Sequence, residues 1–110
     1  MRQHYKHIGL FGMSSGGFQS CLAANCEEVE FLFCFMTGCN LWDITWHGLL
    51  TRHVKTDVLA KGLDKEDVRK VWSICDEGVL GHNNKAKFRK HYITLYDQVV
   101  MPECQFELWQ

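Results

Sequence analysis

The chain is expected to fold as α/β, with about three parallel strands, flanking helices and a helical lid-like insertion before the last strand. Three observations predict this. A short apolar run, Ile8-Gly9-Leu10-Phe11, leads through a glycine-bounded turn into residues of helical spacing. A second run, Phe31-Leu32-Phe33-Cys34-Phe35-Met36, is apolar without alternation, as in a strand covered on both faces. A third, His91-Tyr92-Ile93-Thr94-Leu95-Tyr96, has aromatic and β-branched strand character. The links between first strand, helix and second strand are short, which implies a right-handed parallel crossover.

The first turn carries the most chemistry. Gly12-Met13-Ser14-Ser15-Gly16 is a G-x-S-x-G between a strand and a helix, the sequence form of a nucleophile elbow. A serine on such a turn has strained backbone, so the positions two before and two after are expected to be small. Gly12 and Gly16 meet that need, and Gly17 lets the helix start close against the sheet. The turn presents the Ser14 hydroxyl as nucleophile and the Ser15 amide as donor to a developing oxyanion. The plainer reading is a Gly/Ser turn in which Ser14 caps the helix. Phe18, Cys21, Leu22 and Cys26 then follow at helical spacing, with Ala23 and Ala24 between them.

The second strand ends at Thr37-Gly38-Cys39-Asn40, on the same sheet edge as Ser14, and the carboxyl edge of a parallel sheet is where ligands bind. Residues 1–41 thus form a strand, elbow, helix and strand. Residues 42–77 read as the helical insertion. Asp43 is expected to cap a helix with Ile44, Trp46 and Leu50, and Thr56 or Asp57 to open a second. Asp64 caps a third, with Asp67 in its first turn and Val68, Val71, Trp72 and Cys75 along one stripe. Such an insertion serves as a lid or as ordinary crossover helices, and Trp42 and Trp46 suit either. Residues 78–110 read as a loop, the third strand, a turn at Asp97 and a helix from Glu103 to Gln110 with Pro102 near its first turn. Within the polar stretch Glu77 to Lys90, the cluster Lys85, Lys87, Arg89 and Lys90 reads as a solvated loop face.

Composition narrows the classes. With 110 residues and 46% hydrophobic content, one folded domain is expected. A formal net charge of -1 gives no pull toward nucleic acid or anionic membrane. The apolar runs are too short to span a bilayer, and no signal peptide is visible. Six cysteines (21, 26, 34, 39, 75 and 104) include no C-x-x-C pair. They read as core fillers rather than a disulfide framework or a zinc site, so no metal or cofactor is expected and a cytoplasmic setting is the default.

Two separated motifs now agree. Ile8 to Gly17 resembles the nucleophile strand and elbow of the α/β-hydrolase superfamily of serine, esterase-like hydrolases. Asp97-Gln98-Val99-Val100-Met101-Pro102 resembles that superfamily's D-x-x-V-P-P turn, with Met101 in place of the first proline. The resemblance implies a partial α/β-hydrolase fold, Ser14 as nucleophile, the Ser15 amide as oxyanion donor and Asp97 as the acid that orients a histidine. It implies a small acyl or ester substrate for the full-length family. Asp97 also has a plainer reading, an aspartate bonded to its own turn.

The expected histidine is not found after Asp97. His91 is placed at the start of a strand whose far end carries Asp97, about 20 Å away at about 3.3 Å per residue, so it is expected at the wrong edge of the sheet. His47 and His53 fall in the insertion, and His4, His7 and His82 in terminal or loop segments. A loop upstream of the elbow, which supplies the family's second oxyanion amide, is also missing. The expectation is a hydrolase fragment with little turnover, because a serine hydroxyl needs a base to take its proton. Self-association through unpaired sheet edges is expected too. The alternatives are a non-catalytic remnant or interaction module and, more distantly, a nucleotide-binding βαβ unit, whose G-x-G-x-x-G spacing is absent.

Overall fold

The computed structural model describes residues 4–109. Three strands, β1 (Gly9–Met13), β2 (Val29–Phe35) and β3 (Ala86–Tyr92), form one parallel sheet in the order β1-β2-β3. Between β1 and β2 runs α1 (Ser15–Cys26). Between β2 and β3 lie α2 (Leu41–His47), α3 (Arg52–Ala60), α4 (Lys65–Trp72) and the short α5 (Glu77–Leu80), and α6 (Pro102–Trp109) follows β3. The architecture is therefore α/β. Gln110, the expected end of the last helix, and the basic start Met1 to Gln3 lie outside the described residues.

The core fills one face of the sheet. Cys21 and Ala24 of α1 pack on Val29, Leu32 and Cys34 of β2, with Leu10 and Leu108 alongside. Cysteine here acts as a small hydrophobe, and Cys21, Cys34, Cys39 and Cys104 are all buried free thiols. A second cluster joins Ile44 of α2 to Val100 and to Cys104 of α6, with Phe18 of α1 packed against it. This cluster seats the helical insertion on the body, each fully buried aliphatic side chain contributing roughly 1.5–3 kcal/mol.

Beyond α2 the insertion extends outward. No residue of α3 is buried, and the molecule measures 50 × 27 × 22 Å. Cations pin its tryptophans: Lys65 lies 4.7 Å from the Trp42 ring centre and Lys55 5.0 Å from that of Trp46. Both indoles therefore serve packing within the insertion. Asp64 does cap α4, as its spacing to Asp67 predicts. Asp64 accepts from the Asp67 amide at 3.0 Å, and Asp67 accepts from the Asp64 amide at 2.9 Å. Of the expected stripe, Val68 is buried but Val71 is 65% exposed, so the buried seam is narrower than the sequence suggests.

Several sequence expectations are corrected. The third strand covers Ala86–Tyr92, not His91 to Tyr96, so much of the basic cluster read as a loop face is strand. As an edge strand with one hydrogen-bonded neighbour, β3 tolerates Lys87, Arg89 and Lys90, which sequence alone reads as loop. Asp43 lies inside the first turn of α2, whose N-cap is Asn40, and Thr51 rather than Thr56 or Asp57 precedes α3. The apolar β2 is covered on one face only. Its other face carries phenylalanines that the described residues leave open, Phe31 among them. Among the described residues no helix is long and apolar enough to cross a membrane.

Candidate functional site

Ser14 sits on the strand–turn–helix between β1 and α1. Ser14 has φ 50° and ψ -120°, which lies outside the left-handed helical basin as well as the common regions. A non-glycine residue held there stores about 1–3 kcal/mol and persists only where its surroundings enforce it. Three backbone hydrogen bonds do so. The Ser14 amide donates to the Phe35 carbonyl at 2.8 Å, tying the turn to the end of β2. The Ser14 carbonyl accepts from Gly17 at 2.9 Å and Phe18 at 3.2 Å, which starts α1.

The glycines divide the work unevenly. A side chain at Gly12 would strike the Gly16 carbonyl and sit 2.6 Å from the Gly17 Cα. One at Gly17 would strike the Thr37 hydroxyl, and Thr37 is fully buried at the exit of β2. Gly16, by contrast, has nothing within 4 Å of where its Cβ would lie. The expectation that Gly16 must be small is thus corrected: the crowding falls on Gly12 and Gly17, because the helix start presses on β1 and β2 at those two points.

The Ser14 side chain makes no capping hydrogen bond, which removes the helix-cap reading of this serine. It is half-buried, and Ser15 beside it is exposed. Ser15 is the first residue of α1, where amides have no acceptor within the helix and are available to an anion. Two further non-glycine residues with positive φ, Met36 at 50° and Asn40 at 57°, follow β2 on this carboxyl edge. All three strained residues among those described therefore gather at the sheet edge where ligands bind in parallel sheets. The G-x-S-x-G signals the first, whereas no sequence pattern announces the other two.

Asp97 is committed to its own loop. One carboxylate oxygen accepts from the amides of Val99 at 2.8 Å and Val100 at 3.0 Å, and the other accepts from the Thr94 hydroxyl at 3.3 Å. Gln105 of α6, fully buried, staples that loop, donating to the Val100 carbonyl at 2.7 Å and accepting from the Thr94 amide at 3.0 Å. Among the described residues no hydrogen bond joins Ser14 to Asp97 or joins either of them to a histidine.

The histidines are placed differently from expectation. His91 sits next to last in β3, level with Cys34 and, through it, Gly12, so it lies at the carboxyl end of the sheet and not at the opposite edge. With Cys21 and Cys34 its ring lines an open-sided pocket of about 780 Å³ that Glu77 also lines. Its ring nitrogens are buried without a well-formed hydrogen bond, and burial pushes its pKa down, opposed by the nearby Thr37 backbone. In the same pocket the Cys21 and Cys34 sulfurs are 3.5 Å apart, a shared hydrogen bond that raises Cys21 and lowers Cys34. Burial raises Glu77, which accepts from Asn25 at 2.6 Å. His47 pairs with Asp43 at 2.8 Å on the surface of α2, and His4, His7, His53 and His82 are exposed.

Sequence reading passed over Asp76. It is 2% exposed, and its carboxylate accepts from the amides of Asn40 at 2.8 Å, Leu41 at 2.9 Å and Gly78 at 2.9 Å. A carboxylate from before α5 thereby caps α2, holding the strained Asn40 turn and the start of the insertion together. No group of three or more His, Cys, Asp or Glu side chains among the described residues is arranged to hold a metal ion. Comparison of the chain with protein-family models, with curated proteins and with solved structures gives no match.

Proposed function

We propose that Ser14 is the nucleophile of an α/β-hydrolase-type serine hydrolase site acting on a small acyl or ester substrate. The observation that carries this reading is the backbone of Ser14, held at φ 50° and ψ -120° on a strand–helix corner while its side chain makes no capping hydrogen bond to α1. A helix cap or a plain turn does not need that conformation, and a hydroxyl presented for attack does. The Ser14 hydroxyl attacks the acyl carbonyl and loses its proton to solvent water, the Ser15 amide stabilises the oxyanion, the leaving oxygen takes a proton from water and departs as the alcohol, and a second water later hydrolyses the acyl-serine ester to release the acid and restore the hydroxyl. Gly12 and Gly17 allow the corner. Asp97 is the acid that the resemblance assigns, and its bonds to Val99, Val100 and Thr94 hold it in its loop.

Acylation without a base in contact is slow, so the chain turns over little or not at all. The test is a fluorophosphonate probe on the folded chain, followed by mass spectrometry. Slow, stoichiometric modification of Ser14 that disappears in Ser14→Ala is expected, with ester hydrolysis near background. No modification of a folded sample, or modification that persists in Ser14→Ala, refutes the nucleophile. A second reading, a non-catalytic interaction module on the same fold, is favoured by the closed loop bonding of Asp97 and by the open aromatic side of the sheet.

A further inference from the structure

We infer that the open aromatic face of the sheet is the contact surface of a homodimer, in which two copies of this chain stack sheet against sheet. The inference is independent of the chemistry at Ser14. Side chains paired across the register share a face, and on the side away from α1 the three strands present three rows: Gly9, Phe31 and Phe88; Phe11, Phe33 and Lys90; Met13, Phe35 and Tyr92. The rings form two clusters, Phe11, Phe35 and Tyr92 in one and Phe31, Phe33 and Phe88 in the other. Phe11 to Phe35 is 5.0 Å, Phe35 to Tyr92 4.1 Å, Phe31 to Phe33 5.2 Å and Phe33 to Phe88 6.1 Å between centres.

This surface is open: Phe11 is 63% exposed, Phe88 57%, Met13 52%, Tyr92 41% and Phe31 39%. At ~200 Å² for each large side chain, those five alone leave roughly 500 Å² of apolar surface in water. That is near the largest patch a soluble monomer carries, and a parallel sheet is normally covered on both faces. Stacking two copies removes about 1,000 Å² in all, before Phe33, Phe35 and the Lys90 stem are added, which is about the least that a specific interface buries. A net charge of -1 offers little opposition.

The register argues for a second copy as occupant. A two-fold axis parallel to the strands lays β1 of one copy over β3 of the other and keeps each row in step. Lys90 is the one formal charge in the three rows, and its ammonium already lies 5.2 Å from the Tyr92 ring centre. Under that axis it meets the Phe11 ring of the second copy, a cation over an aromatic face. Met13 then meets the second copy's Tyr92, a sulfur against a ring. The surface is complementary to itself, with its one charge opposite a partner that accepts it.

Sedimentation velocity on the full chain, across a concentration series, tests this. The wild type is expected to show a discrete species of twice 12.8 kDa. Phe11→Lys sets two lysines against each other and is expected to weaken the dimer at least ~100-fold. Lys90→Glu, a change at an exposed side chain, places an anion over the ring and is expected to weaken it ~10-fold. Phe11→Lys combined with Lys90→Glu pairs opposite charges and restores the dimer. Circular dichroism checks that each variant is folded, and Lys90→Glu carries the test if Phe11→Lys is not. A monomeric wild type, an open ladder of larger species, a dimer unaffected by both single changes, or no rescue in the double variant overturns the inference.

Discussion

Replacing Ser14 separates a strained corner from a helix cap by the sign of the effect. Ser14 sits at φ 50° and ψ -120° with no side-chain hydrogen bond to α1. Ser14→Ala keeps a Cβ in the same conformation and removes a hydroxyl that bonds nothing in the fold, so stability is expected to change by less than about 0.5 kcal/mol. Ser14→Gly removes the Cβ and with it a strain of about 1–3 kcal/mol. Glycine also gains freedom in the unfolded chain, which subtracts roughly 0.5–1 kcal/mol. The net expectation is a stabilisation of about 0–2.5 kcal/mol, or a rise in Tm of up to about 10 °C at about 4 °C per kcal/mol for a domain of this size. A capping serine predicts losses in both variants: alanine costs about 1 kcal/mol and glycine a few tenths, so both fall below the wild type. Urea titrations of the three proteins, read at constant m-value, decide between them. If Ser14→Gly is less stable than the wild type, the backbone at residue 14 is not strained and the nucleophile proposal loses its main support.

Three further outcomes follow from neighbouring contacts. Gly16→Ala is expected to stabilise α1 by about 0.5–1 kcal/mol, because the new methyl meets open space, while Gly17→Ala is expected to destabilise by about 1–2 kcal/mol through its collision with Thr37; thermal denaturation of the pair checks the contrast. Asp76→Ala strips the acceptor from three amides and is expected to cost about 3–5 kcal/mol, measured by denaturant unfolding. His91 has a folded pKa below its ordinary 6.5, so its contribution is complete above that value and is lost as pH falls toward the folded one. Tm measured from about pH 7.5 to pH 5 should therefore fall more steeply in the wild type than in His91→Leu, and parallel curves would show that His91 is not the group responsible.

What the sequence made legible was local. The capping box of α4 needs only residues 64 to 67, and the glycine turn after β1 needs only residues 12 to 17, so both appear in the structure where the spacing puts them. What it concealed was set by distant partners. The start of α2 is fixed by Asp76, 36 residues from Asn40 along the chain, so Asp43 looked like the cap. The third strand is defined by its pairing with β2, and its lysines and arginine imitate a loop until that pairing is seen. Shifting the strand moved His91 from one end of the sheet to the other. Asp97 was legible as an aspartate at a turn, and the turn's bonding to Thr94, Val99 and Val100 depends on Gln105 from another element.

Phe35 links the strained corner to the aromatic face. Its carbonyl holds the Ser14 amide at 2.8 Å, and its ring stacks 4.1 Å from Tyr92 and 5.0 Å from Phe11. The main chain at residue 14 is thus as fixed as the end of β2, and the end of β2 is as fixed as the rings around Phe35. In an isolated copy that face meets water, and the hydrogen bond from the Ser14 amide to the Phe35 carbonyl is expected to open more often. When a second copy covers the face, the same bond is expected to open less often, because opening it would disturb packed rings. Amide hydrogen exchange at Ser14 should therefore slow as protein concentration rises through the dimer transition, while Leu59 and Ala60, on the insertion, exchange at an unchanged rate. If Ser14 exchange is independent of concentration although the chain associates, the corner and the aromatic face are mechanically separate. The strain at Ser14 would then be held by Gly12, Gly17 and Thr37 alone.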